Sequence, residues 1–331
     1  MIPVLVLIVA LALTFDYING FHDTANAIAT VVSTGVLSAR NAILMAAVLN
    51  FAGALMGTQV ATTIAKGIAD SNFVTPAVVI AALVSAIVWN LITWWFGIPS
   101  SSSHALVGGL AGAVVAAAGR EHLYTRKLEE VGKYLILSPI LGFLIAMVLI
   151  ITILWIVRHK SSYKVNKGFR KLQLVSAGGM ALAHGFGDAQ KTMGIIALAL
   201  LTYGKLAAHG DKVDVPLWVK LACATAMALG TASGGWKIIR TMGTKIVKLR
   251  PIHGFAAETA AAIVIFITAH FGIPVSTTHV ISGSIMGVGA SMNASAVRWG
   301  VAGNIIVAWV LTIPVTALVA GGILKLIQHW I

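Results

Sequence analysis

Apolar runs of about 20 residues or more, separated by short polar stretches, follow one another along the whole chain. That is the pattern of membrane-crossing helices, and it differs from the ~10-residue alternation of an outer-membrane barrel strand. The runs predict crossings over 3–37, 41–65, 74–96, 97–118 and 134–157, then over 174–202, 216–236, 252–271, 272–290 and 299–324. The long runs 3–37 and 174–202 carry polar residues in their middles and are expected to be interrupted. Five runs lie on either side of a basic segment, and a copy that follows an odd number of crossings must insert upside down. The expected fold is therefore an all-α polytopic membrane protein with an inverted-topology repeat of about ten crossings. Residues 1–157 form the first repeat, 158–171 a basic cytosolic linker and 172–331 the second repeat. At 97–118 and 272–290 a Gly-x-Pro break precedes a short Gly-rich run, so re-entrant hairpins are the alternative there.

Composition excludes a soluble domain: 58% of the 331 residues are hydrophobic and 10% charged, with a mean hydropathy of +0.93. The formal charge of +13 would favour nucleic acid in a soluble protein. Here the basic residues cluster between apolar runs, at Arg158, Lys160, Lys164, Lys167, Arg170 and Lys171, and again from Lys237 to Arg250. The positive-inside bias places both clusters in the cytosol and both termini outside, in the cytoplasmic membrane. The segment Arg120–Lys133 then falls outside in spite of its own basic residues. The first apolar run lacks a basic leader and reads as a retained helix. The single cysteine, Cys223, can form no intramolecular disulfide and reads as a packed core residue.

Chemistry concentrates in two nearly identical stretches, Gly97-Ile98-Pro99-Ser100-Ser101-Ser102-Ser103-His104 and Gly272-Ile273-Pro274-Val275-Ser276-Thr277-Thr278-His279, offset by 175 positions. A buried hydroxyl without a partner costs roughly 2–7 kcal/mol, so such rows call for a polar ligand. Helix N-termini with added Ser and Thr donors suit a tetrahedral oxyanion, and neutral donors allow its release. The competing reading is that these hydroxyls cap or back-bond their own helices. His104 and His279, in matching positions, could donate to the anion, carry a proton, or bridge neighbouring helices.

A second matched pair, Gly20-Phe21-His22-Asp23 and Gly185-Phe186-Gly187-Asp188, is offset by 165. Acidic residues inside apolar runs normally face a cavity and mark an ion pathway. Asp23 and Asn26 share a helix face as hard oxygen ligands for a small cation. Lys191 stands at the corresponding position after Asp188, where an ammonium would take the cation's place or form a plain structural ion pair. Glu258, alone in Ala256-Ala257-Glu258-Thr259-Ala260, is a candidate proton carrier or gate, while Asp16 is as readily structural. Gly108, Gly109, Gly283 and Gly287 are read as close-packing positions.

Together Asn19-Gly20-Phe21-His22-Asp23-Thr24-Ala25-Asn26-Ala27, the two Gly-Ile-Pro-x-Ser motifs and Gly254-Phe255-Ala256-Ala257-Glu258 resemble the PiT family of inorganic phosphate transporters over essentially the whole chain. The resemblance implies an inverted-repeat symporter. It implies phosphate binding by Ser101, Ser102, Ser103, His104, Ser276, Thr277, Thr278 and His279, and cation or proton coupling through Asp23, Asn26, Asp188, Gln190, Lys191 and Glu258. Asn50 falls where some members have a glutamate that mirrors Glu258. The version Asp188-Ala189-Gln190-Lys191 is similar to the bacterial low-affinity branch, which implies proton symport of phosphate, also as a neutral complex with Mg²⁺ or another divalent metal. No metal site of the protein's own and no prosthetic group is implied, and a homo-oligomer is compatible with the sequence. Competing functions are sodium-coupled phosphate symport, a permease for sulfate or arsenate, and, remotely, an intramembrane serine hydrolase. A serine adjacent to its histidine rarely has the geometry for the last.

Overall fold

The computed structural model describes residues 2–65, 73–206, 208–209 and 212–328. Helices carry the architecture: α1 (Ile2–Ser33), α2 (Ala39–Ala54), α3 (Gln59–Ala65), α4 (Pro76–Phe96), α5 (Ser102–Ala118) and α6 (Thr125–Val157), then α7 (Ser162–Thr202), α8 (Leu217–Ser233), α9 (Trp236–Arg240), α10 (Pro251–His270), α11 (Thr277–Met292) and α12 (Trp299–Ile327). A two-residue antiparallel ladder pairs Ala208 with Val213 and His209 with Lys212. Five helices, α1, α4, α6, α10 and α12, are long and apolar enough to cross a membrane alone. The pair α2 and α3, bent by 67°, adds a broken span. With 17 and 16 residues, α5 and α11 fall short of the ~20 that a full crossing needs, so helix length alone does not make ten crossings.

Two expectations about continuity change. The first and sixth runs are single unbroken helices, α1 and α7 of 32 and 41 residues. Asp23, Asn26 and Thr30 of α1 and Gln173 and Asp188 of α7 find side-chain partners across helices, and the backbone stays closed. The break falls in the second run, after Ala54. The basic linker is also largely helical: only residues 158–161 lie between α6 and α7, and Lys164, Lys167, Arg170 and Lys171 ride on α7 behind the Ser161 cap. The segment after Arg120 is helical from Thr125.

Packing comes in matched pairs. A Cβ on Gly20 of α1 would lie 2.4 Å from the Met227 carbonyl of α8, and one on Gly185 of α7 would lie 2.2 Å from the Asn50 carbonyl of α2. The returning contacts match too: Gly230 faces the Tyr17 carbonyl at 2.0 Å and Gly53 the Leu182 carbonyl at 2.1 Å. Likewise Gly108 and Gly112 of α5 press on Ile313 and Ala317 of α12, while Gly283 and Gly287 of α11 press on Pro139 and Phe143 of α6. Small residues thus let helix backbones touch where lipid supplies no hydrophobic drive for association.

Both α1 and α7 run through two apolar clusters. One takes Ile8, Ala12 and Phe15 of α1 with Met193 and Ile195 of α7; the other takes Ala25, Ile28 and Val31 with Ala177, Met180 and Ala183. Between them lies a polar seam, and the site sits there.

The glycine contacts set a test. Gly185→Ala should lower stability by about 1–3 kcal/mol, because neither backbone at the contact can yield. Gly168→Ala on the same helix, where a Cβ meets nothing within 4 Å, should leave it unchanged. Thermal unfolding of detergent-purified protein reads both.

Candidate functional site

Each hydroxyl motif begins where a helix is stopped. Gly97 and Gly272 take left-handed φ of 67° and 70°, closing α4 and α10. In both, the next residue's N–H returns to a threonine carbonyl, Ile98 to Thr93 (2.9 Å) and Ile273 to Thr268 (2.8 Å). From behind, Thr241 donates to the Gly97 carbonyl at 2.9 Å and Thr63 to the Gly272 carbonyl at 2.8 Å. The chain then runs extended into α5 and α11, and the two turns meet where Ser103 Oγ donates to the Val275 carbonyl, 3.4 Å.

The rows are not uniform. Ser101 and Ser276 are N-caps, accepting from the His104 and His279 N–H groups at 3.2 Å each. Their hydroxyls are spent locally, as the capping alternative expects. The residues that follow reach across the molecule. Thr277 Oγ1 donates to Asp188 Oδ2 (3.3 Å) and Thr278 Oγ1 to Asp23 Oδ2 (3.4 Å), while Asn26 Nδ2 donates to both hydroxyls, at 3.3 and 2.9 Å. Ser102 Oγ accepts from Asn90 of α4 at 3.2 Å.

Charge collects at the same place. Lys191 Nζ lies 2.7 Å from Asp188 Oδ1, both residues buried, and His184 Nε2 lies 3.9 Å from Asp188 Oδ2. Asp23 Oδ1 is 2.7 Å from His22 Nδ1, whose Nε2 reaches Thr93 Oγ1 at 2.9 Å and Ser100 Oγ at 3.3 Å. Among the described residues, Asp23, His184 and Asp188 form the group whose ligating atoms lie close enough for a cation, within 4.8 Å of one another. One of the three, Asp188, already has the Lys191 ammonium against it. Ser103 and Lys191 line a cavity of about 300 Å³ that opens past Tyr134, Glu130 and Lys127 of α6.

Four expected residues stand elsewhere. The His104 and His279 rings meet edge to face, with centroids 4.4 Å apart, and His279 stacks on Trp309 at 3.8 Å. They line a second, apolar cavity of about 580 Å³ with Pro139, Phe143 and Gly283. Two residues beyond a hydroxyl on a helix, their side chains point away from the row. Gln190 is taken up in structure: its Oε1 accepts from Val60 and Ala61 N–H at 2.8 and 3.3 Å, capping α3, and its Nε2 donates to the Phe186 carbonyl. Glu258 forms its own buried cluster, accepting from Thr30 (2.5 Å), Gln173 (2.9 Å) and Ser176. Thr30 is one turn below Asn26 on α1. Asn50 lies on α2, bonded to Thr231 and near His184, whereas the position 175 before Glu258 is the buried Leu83.

Sequence reasoning missed Asn19, His22, Asn90, Thr93, Gln173 and His184. All are buried polar residues, and except for Gln173, which directly precedes the run 174–202, they lie in apolar runs; for these that property is the signal that could have found them.

The phosphate transporter family (PHO4) matches residues 19–167 and 157–320, and the chain belongs to it. A probable low-affinity inorganic phosphate transporter of Rhizobium meliloti is 51% identical over 96% of this chain and 95% of its own length. One of Bacillus subtilis is 51% identical over 94% and 93%. A putative phosphate permease of Pyrococcus abyssi is 31% identical over 99% and 98%. Among solved structures, a sodium-dependent phosphate transporter superposes with a TM-score of 0.91 over 99% of this chain and all of its own, at 24% identity, and so shares the fold. The family is one of transporters, not enzymes.

The split within each row gives opposite outcomes for neighbouring residues. Thr277→Ala removes a hydroxyl that donates to Asp188 and accepts from Asn26, and should cut phosphate uptake about tenfold or more at unchanged melting temperature. Ser276→Ala removes a cap and should lower stability by about 1 kcal/mol. Uptake into proteoliposomes beside a thermal melt of each variant separates them.

Proposed function

We propose that this chain is a proton-coupled symporter of inorganic phosphate in the cytoplasmic membrane, carrying the anion free or as a neutral complex with a divalent metal. Phosphate is the substrate named for its relatives, and a cluster of hydroxyl and amide donors around Ser102, Ser103, Asn26, Thr277 and Thr278 suits a tetrahedral oxyanion. The observation that carries proton coupling is the 2.7 Å contact of Lys191 with Asp188. An ammonium in that position neutralises the carboxylate and repels a sodium ion. Bound phosphate adds negative charge beside Lys191, and a proton or a paired divalent metal offsets it. Glu258, held by three donors two turns of α1 from Asp23 by way of Thr30, is placed to gate or relay that proton.

The inverted repeat belongs to the same reading. Its support is the pairing of α1 with α8 and α7 with α2, and of α5 with α12 and α6 with α11, through glycines offset by 165 (Gly20, Gly185), 177 (Gly53, Gly230) and 175 (Gly108, Gly283 and Gly112, Gly287). Such repeats place the substrate between the halves, and the meeting of the two hydroxyl motifs supports that reading. A sodium-driven reading draws on the fold shared with a sodium-dependent transporter and on the Asp23, His184 and Asp188 grouping.

Uptake of labelled phosphate into liposomes should rise with an inward proton gradient and with Mg²⁺, and respond weakly to sodium. Lys191→Asn should lower proton-driven uptake. Strong sodium dependence of the unmodified protein at fixed pH without divalent metal would favour the sodium reading, and equal competition by sulfate or arsenate would widen the substrate class.

Orientation is tested separately. In a Cys223→Ala background, single cysteines at either terminus should react with an impermeant thiol reagent on whole cells, and one at Ser161 should be protected. The opposite pattern reverses the topology.

A further inference from the structure

The correspondence between the halves fails at two polar clusters. Around Glu258, the positions that match Thr30, Gln173 and Ser176 by the 165 offset are Ile195, Ile8 and Leu11, all apolar. The second cluster lies on the other side of the Asp188–Lys191 pair. Asp16 is fully buried on α1 and neither of its carboxylate oxygens reaches a hydrogen-bond partner. The Thr192 hydroxyl of α7 and the Cys223 thiol of α8 face it, and the Asp188–Lys191 pair lies within electrostatic reach. From α4, also packed on α1, no titratable residue faces it.

Asp16, Asp23 and Thr30 are seven residues apart in turn, so they lie on one face of α1 at intervals of roughly 10 Å. The seam therefore has a carboxyl on each side of its centre: Asp16 toward the N-terminal end of α1, and Glu258, through Thr30, toward the other. Packing does not require a carboxyl at the first place. The matched positions for Asp16 and Thr192 are Ala181 and Ala27, both buried, so alanine fills this position in the other half.

We propose that Asp16 is the residue that carries the co-transported proton, resting on the proton-coupled reading above. With the site open to one side, its carboxylate takes one proton, forming an O–H and losing its charge. With phosphate loaded beside Lys191, the neutral carboxyl allows the change of access. With the site open to the other side, the proton leaves to water and the phosphate follows. An ionised carboxylate faced only by a hydroxyl and a thiol is costly in an apolar bundle, whereas its protonated form is much less so. That difference ties the proton to the loaded step.

The test uses the full chain in liposomes, with two measurements on each variant. One is phosphate accumulation driven by an inward proton gradient. The other is exchange of labelled for unlabelled phosphate at equal pH on both sides, which the protonated carrier performs without releasing its proton. Asp16→Asn imitates the protonated form. It should keep exchange within about twofold of the unmodified protein and lose gradient-driven accumulation by about tenfold or more. Asp16→Glu should restore part of the accumulation. Accumulation at the unmodified level in Asp16→Asn overturns the proposal, and so does the joint loss of exchange and accumulation in a folded variant. Should Asp16→Asn fail to fold, Asp16→Ala, the residue of the matched position, is read by the same two measurements. Failure of the unmodified protein to respond to a proton gradient is seen without any variant. It overturns the coupling reading itself, and this proposal with it.

Discussion

Burying ionisable groups at the centre of an apolar helical bundle is the constraint that orders this molecule. Asp23, Asp188, Lys191 and Glu258 are all buried, so each must be met by another side chain. Asp188 is met by Lys191, Asp23 by His22, and Glu258 by three donors. Those partners come from α1 and α7, with Thr277 and Thr278 at the start of α11 adding donors to Asp188 and Asp23. The helices can converge this closely because glycines at the α1–α8 and α7–α2 contacts remove the side chains that would hold them apart. The charges dictate where the helices must meet, and the glycines make the meeting sterically possible.

The same constraint separates what the chain's pattern disclosed from what it concealed. The hydroxyl motifs, Asp23, Asn26, Asp188 and Lys191 were legible because polar residues in an apolar run have few structural uses. Helix boundaries at Gly97 and Gly272 were legible because only a glycine accepts the left-handed turn those positions take. The partners were harder to see. His22, Asn90, Thr93 and Gln173 are single polar residues whose meaning depends on what lies across the bundle. Continuity of α1 and α7 was misjudged for the same reason: polar residues that suggest a break are also what an unbroken helix presents to a polar neighbour. His104 and His279 show the limit of matching by repeat. The two rings meet each other, yet helix periodicity turns both to a different cavity from the hydroxyls two residues before.

Departures from the repeat carry as much information as the repeat itself. Two halves that use the same glycines in the same contacts have no packing reason to differ elsewhere. They differ at Asn26 against Lys191, at Glu258 against Leu83, and at Asp16 against Ala181. Each difference puts a titratable group in one half only. On the proposed inverted-repeat, proton-coupled reading, such one-sided groups are what would make transport directional in its coupling.

The length of α7 has a consequence of another kind. At 41 residues it measures about 60 Å, twice the ~30 Å hydrocarbon thickness, so its basic first third must project past the lipid headgroups. Lys164, Lys167, Arg170 and Lys171 are therefore fixed to the same rigid rod that carries Asp188 and Lys191. Anionic headgroups attract such residues by about 1 kcal/mol each. Any axial displacement of the rod is then felt at the bilayer surface, and the lipid composition of that leaflet becomes a mechanical load on the helix that holds the central charges.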